Sequence, residues 1–132
     1  MNIGDLSKQS GISAKTIRYY EAQGLLPAPP RLENGYRDYP DSAVSELGFL
    51  RRARQFGFSL QECGQLVQLW RNPKRRSAEV HQLVTERQQQ VAQQIAELQE
   101  TQQLLTDLLS RCADNNSPHC AIIDSLSERS NG

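Results

Sequence analysis

Two sets of residues in this sequence have types and spacings that suit chemistry. The first is basic and aromatic: Lys15, Arg18 and Tyr19 at i, i+3 and i+4, with Tyr20 either beside them or turned with Ile17 toward the first helix, then Arg31, Asn34, Tyr36, Arg37 and Arg54. Lys and Arg neutralise phosphates, tyrosine hydroxyls add hydrogen bonds, and a short helix carrying such residues fits the major groove. The same pattern also suits a solvated helix face and a decorated hairpin. The second set is a pair of thiols, Cys112 and Cys120, bracketing a stretch rich in turn formers from Ala113 to His119. Such a loop can fold both sulfurs toward one point. Two thiolates suit a soft monovalent ion such as Cu(I), whereas zinc usually takes four ligands and His119 would be only the third. The pair also reads as a redox couple closing a Cys112–Cys120 disulfide, or as two unrelated thiols in a loose tail.

The remaining cysteine, Cys63, falls on an apolar helical position and reads as core. His81 and His119 read as surface or interface groups, and His119 is kept outside the thiol site. No phosphate-binding glycine loop, nucleophile elbow or His/Glu hydrolase motif occurs, so the expectation is a protein without catalytic activity.

The elements that must position these residues follow from local signals. Asn2 caps a first helix over Ile3 to about Gln9, with Asp5 in its first turn. Ser13 caps a second, Ala14 to about Gln23, stopped by Gly24. Two short helices joined by a glycine-containing turn predict a helix-turn-helix. Pro27, Pro29 and Pro30 stiffen the exit, and Asn34-Gly35 predicts a small β-wing whose turn takes positive φ at both positions. Pro40-Asp41 opens a third helix with Val44, Leu47, Leu50 and Ala53 on its apolar face and Arg51, Arg52 and Arg54 near its end. Ser59-Leu60-Gln61-Glu62 is a capping box for a fourth, with Leu60, Cys63, Val67 and Trp70 facing inward.

Asn72-Pro73 ends that helix, and nothing then breaks a helix from Ser77, its simplest N-cap, to about Ser110. Val84, Val91, Leu98 and Leu105 recur every seven residues beside a mixed seam of His81, Gln88, Ile95, Gln102 and Leu109. A helix of that length is about 50 Å long, more than a domain of this size covers with its own core. A heptad seam with polar members fixes register and partner, so a homodimer is expected, held through Val84, Val91, Ile95, Leu98 and Leu105. The expected organisation is mainly α. A winged helix-turn-helix DNA-binding domain occupies residues 1–70 and a basic hinge 71–76. A dimerisation helix, paired as an antiparallel coiled coil, spans 77–110, and a metal-binding loop and tail span 111–132.

With 132 residues, 37% hydrophobic and 23% charged, the chain is neither collagenous nor strongly disordered. No apolar run approaches the ~20 residues that span a bilayer. Asp5 and Lys8 interrupt any signal-peptide core, so a cytoplasmic protein with no membrane partner is expected. The zero net charge hides an asymmetry: residues 1–76 hold twelve Lys/Arg against seven Asp/Glu, and residues 77–132 hold three against eight. A basic half joined to an acidic half suggests a nucleic-acid-facing part attached to something else.

Thr16-Ile17-Arg18-Tyr19-Tyr20-Glu21, Gly24-Leu25-Leu26, and Arg31 with Asn34-Gly35-Tyr36-Arg37-Asp38-Tyr39 together resemble the DNA-binding half of the MerR family. The long helix and short tail resemble its metal-sensing members, and Cys112, Cys120 and Ser77 resemble the copper-efflux-regulator (CueR-type) subgroup. The resemblance implies that Cys112 and Cys120 hold one Cu(I), Ag(I) or Au(I) ion. Ser77 would stand where sensors of divalent ions have a cysteine from the partner subunit, so it bears on metal selectivity. It further implies a homodimer on double-stranded promoter DNA that activates copper, silver or gold detoxification genes. Metal binding would distort a spacer too long for RNA polymerase, aligning the promoter elements.

Overall fold

The computed structural model describes residues 1–112, 114–116, 118 and 120–127. Six helices follow one another: α1 (Ile3–Ser10), α2 (Ala14–Ala22), α3 (Ser42–Gln55), α4 (Leu60–Arg71), α5 (Ser77–Arg111) and α6 (Ala121–Ser127). No described helix is long and apolar enough to cross a membrane. The chain divides into two compact units, Met1–Arg87 and Gln88–Gly132.

In the first unit each helix begins where a side chain satisfies an otherwise unpaired backbone donor. Asn2 accepts from the Asp5 N–H at 2.8 Å, and Ser13 accepts from the Thr16 N–H at 3.2 Å. Ser59 and Glu62 form the reciprocal capping box, at 3.1 and 2.8 Å. α1 stops at Gly11, whose φ of +73° favours glycine, and α2 ends at Ala22, one residue earlier than expected. Gly24 and Leu25 close α2 by donating back to the Glu21 and Tyr20 carbonyls at 3.0 and 2.9 Å, a Schellman arrangement that also drives Leu25 into the core.

That core joins Leu6 of α1, Ile17 of α2, Leu47 and Leu50 of α3, and Cys63 and Val67 of α4, all nearly inaccessible. Val80 and Leu83, on the first turns of α5, pack against it. Ala43 takes the buried position on α3, and Val44 is only half-buried. Trp70, expected inside, is 38% exposed and stacks on Phe49 with ring centroids 4.6 Å apart. Its ring covers the edge of the core instead of entering it.

Three local expectations change. The wing is a single antiparallel bridge, Arg31 with Arg37, and no strand forms among the described residues. Only Gly35 has positive φ, at +83°; Asn34 does not. The Gly35 N–H bonds the Leu32 carbonyl at 2.9 Å and the Leu32 N–H bonds the Tyr36 carbonyl at 2.7 Å. This is the three-residue loop in which glycine follows an ordinary turn, and it spares Asn34 a left-handed backbone. Asn34 instead turns its side-chain oxygen onto the Tyr36 N–H at 3.0 Å. Ser77 is the first helical residue of α5, not its cap; the chain enters through Arg76, whose carbonyl accepts from the Glu79 N–H at 3.0 Å. Finally, Arg75 in the 71–76 segment folds back on the end of α4, donating to the Trp70 and Asn72 carbonyls, each at 3.3 Å. There a cation offsets the helix dipole.

In the second unit no residue of α5 or α6 is buried. Ile95, Leu98, Leu104, Leu105 and Leu109 each stand more than half exposed along the helix.

Candidate DNA-binding face and thiol site

α2 displays Lys15, Arg18 and Tyr19 on one exposed face, because Ile17, on the opposite side, is fully buried. Tyr20 does not join them: it is 9% exposed and belongs to the core, since its position on the helix turns toward α1 and the Leu25 turn. The wing presents Arg31, Asn34 and Tyr36, the last 70% exposed. The Arg31 guanidinium donates to the Gly35 carbonyl at 3.3 Å, bracing the wing tip. Arg54, near the end of α3, donates to the Phe58 carbonyl at 2.8 Å and closes the α3–α4 turn.

Arg37 differs from the other cations. Its Nε lies 3.2 Å from Glu21 Oε2, and the Glu21 side chain is 6% exposed. The Tyr39 hydroxyl donates to the other oxygen of the same carboxylate. Burial first, then that hydrogen bond and the charge of Glu21, push the Tyr39 hydroxyl up to about 12, against the opposing pull of Arg37 and Arg18. Met1 closes the arrangement from the other side, its carbonyl accepting from the Tyr39 N–H at 2.7 Å. Glu21 and Tyr39 both stand in the motifs that carry the MerR resemblance, but nothing in the sequence reading joined them to each other or to Arg37. The available signal was one acid at the end of an otherwise basic and aromatic helix.

Cys112 follows the end of α5, and Cys120 precedes α6, its carbonyl accepting from the Asp124 N–H at 3.1 Å. The loop brings their sulfurs to 2.8 Å, well beyond the ~2.05 Å of a disulfide bond. Both are half-buried, and neither is in a disulfide. Their partnership splits their acidities: the hydrogen bond shared with Cys120 holds the Cys112 thiol above the ordinary range. The same bond, with the backbone N–H groups of Ile123 and Ile122 also turned to its sulfur, lowers Cys120. Amide donors at the start of α6 therefore favour negative charge on sulfur. Two adjoining sulfurs in such a setting fit a soft, low-coordinate cation.

His119 lies outside the described residues. Among those described, no group of three or more His, Cys, Asp and Glu is placed to hold a metal. Cys63 is buried, its thiol 3.8 Å from the Phe58 carbonyl, and burial pushes its acidity down.

Comparison with known proteins bears on both sites. Residues 2–39 match the MerR family regulatory protein model, and residues 44–108 match the family model described as MerR, DNA binding. The chain is 45% identical over 127 residues to the HTH-type transcriptional regulator CueR of Salmonella typhimurium, covering 96% of this chain and 92% of that one. It is 43% identical over 128 residues to the regulator HmrR of Rhizobium leguminosarum bv. viciae, covering 97% and 98%. Among solved structures it resembles the transcription regulator PbrR691 of Ralstonia metallidurans CH34 in complex with lead(II). There the TM-score is 0.87 at 36% identity, over 96% of this chain and 99% of that one. The winged head, the long helix and near full-length similarity to CueR-type proteins lead to one assignment: the chain belongs to the MerR family, in its CueR-type branch, and is a metal-responsive DNA-binding transcriptional regulator.

Proposed function

We propose that this regulator senses a monovalent copper-group ion, Cu(I) foremost with Ag(I) and Au(I) as alternatives, through Cys112 and Cys120. The observation that carries this reading is the 2.8 Å approach of the two sulfurs beside the amide donors of α6. Two thiolates with a monovalent ion make a unit of one negative charge, which those amides offset. A divalent ion would ask for more donors, and Ser77, a hydroxyl, supplies no third thiolate.

The exposed residues Lys15, Arg18, Tyr19, Arg31, Asn34 and Tyr36 would grip promoter DNA, the cations spent on phosphates. The apolar seam of Val84, Val91, Ile95, Leu98 and Leu105, exposed at all but the half-buried Val91, supports a homodimer paired along α5. Two heads would then span a promoter. Activation follows if the loaded protein favours the conformer that distorts the spacer, which RNA polymerase then reads as aligned elements. Overall DNA affinity need hardly change, because only the difference between conformers counts.

The test is transcription in vitro from the regulated promoter with Cu(I), Ag(I), Au(I), Zn(II) or Hg(II) under excess thiol. Induction by the monovalent ions alone is expected. Cys112→Ser or Cys120→Ser should abolish it while promoter binding persists. Induction by oxidant alone, or induction surviving either substitution, would overturn the site.

A further inference from the structure

We propose that Glu21 is a positioning and specificity-determining residue for DNA recognition: its buried carboxylate joins the wing to the end of α2, so that helix and wing meet the duplex as one rigid surface. This rests on the reading of α2 and the wing as the DNA-binding face.

The two parts are separate in sequence. Lys15, Arg18 and Tyr19 stand on α2, and Arg31, Asn34 and Tyr36 stand on a wing held internally by one bridge and a turn. So thin a wing has few ladder bonds of its own to fix its angle. The base of the wing is tied to the segment leading into α1 by Met1, which bonds Asp38 and the Tyr39 backbone, and to α2 by Glu21, on which Arg37 and Tyr39 both converge, one on each carboxylate oxygen. Tyr39 is 2% exposed and the Glu21 side chain 6%, so neither can trade its partner for water. A buried carboxylate deprived of its cation is strongly disfavoured. The Arg37 Nε is therefore committed to Glu21, and this arginine is a brace for the wing before it is a phosphate contact. Arg18 lies near enough to act on Tyr39 electrostatically, which places a groove-facing cation of α2 beside the same cluster.

The chemistry separates specific from non-specific binding. Non-specific affinity depends on the number of cations near phosphates, which removing an acid does not reduce. Specific affinity depends on helix and wing reaching their contacts together. Glu21→Gln keeps an acceptor for the Tyr39 hydroxyl but removes the charge that holds Arg37.

The experiment uses the full-length protein. Wild type, E21Q, R37Q and the E21Q/R37Q pair are titrated against a duplex selected by the wild-type protein from a random pool, and against a scrambled duplex of equal length, across a salt series. E21Q is expected to lose about tenfold or more in affinity for the selected duplex. Its affinity for the scrambled duplex should hold within about twofold, with the salt slope no shallower. The E21Q/R37Q pair should lose clearly less than the two single losses combined, since both remove one interaction. Trp70 fluorescence melts give the stability readout. Equal losses on both duplexes would reduce Glu21 to a purely structural residue and overturn the proposal, as would unchanged affinity for the selected duplex or simple additivity of the pair. R18A with undiminished affinity would instead remove the DNA-binding reading of α2, and the premise with it.

Discussion

The Met1–Arg87 unit and the Gln88–Gly132 unit follow opposite rules. In the first, fifteen apolar residues are buried by their own chain, the last of them Val67. In the second, α5 and α6 bury none, and Ile95, Leu98, Leu104, Leu105 and Leu109 of α5 with Ile123 and Leu126 of α6 lie open. Burial of apolar area at about 25 cal/mol per Å² is the main favourable contribution to folding. The first unit therefore carries its own stability, whereas the second has its apolar surface still to cover. On the proposed reading, the sensing thiols lie in the unit with uncovered apolar surface and the DNA face in the unit that buries its own core.

The sharpest way to break this contrast is to charge the seam. Leu98→Asp with Leu105→Asp should convert a dimer to a monomer in sedimentation velocity, while the head keeps its cooperative Trp70 fluorescence transition. Loss of that transition would mean that the head relies on the rod after all. Next in size, Leu47→Ala should lower the head's stability by about 2–5 kcal/mol in denaturant melts, because the site is fully enclosed. The same truncation at Leu104, 59% exposed, should leave the Trp70 transition in place. Ser59→Ala removes half of the capping box and should cost about 1 kcal/mol, read in the same melt.

The smallest expected effect is alkaline. Tyr39 ionises near 12 in the folded head and near 10 in the unfolded chain. A group whose folded value is raised contributes its full stability below the unfolded value and loses it as pH rises through the folded one. The stability difference between wild type and Tyr39→Phe should therefore stay level below pH 10 and shrink from there toward 12. A difference that already changes below pH 10 would contradict the placement of the phenol in the Glu21 cluster.

Much of this architecture was legible because its signals are local. The caps Asn2, Ser13 and Ser59, the stops at Gly11 and Gly24, and the heptad spacing of α5 all express backbone or helical geometry within a few residues. The inward position of Cys63 followed from the same periodicity. Local reasoning left Tyr20 open, between the face of Tyr19 and the inward side of Ile17, and packing decides for the inward side. It failed at Asn34-Gly35, where the dipeptide admits several turns and the bridge between Arg31 and Arg37 selects one.

The sequence by itself determined the first five helices and their order, the basic and acidic halves, and the presence of two thiols across a short loop, but not α6, which lies in what reads as tail. Only the tertiary structure decided that Arg37 and Tyr39 share the Glu21 carboxylate, that Arg75 folds back on α4, and that the sulfurs stand 2.8 Å apart. The reason is physical. Helix formation is settled by groups within a turn or two along the chain, whereas the partner of a buried charge or a thiol is whichever group the packed chain brings within reach.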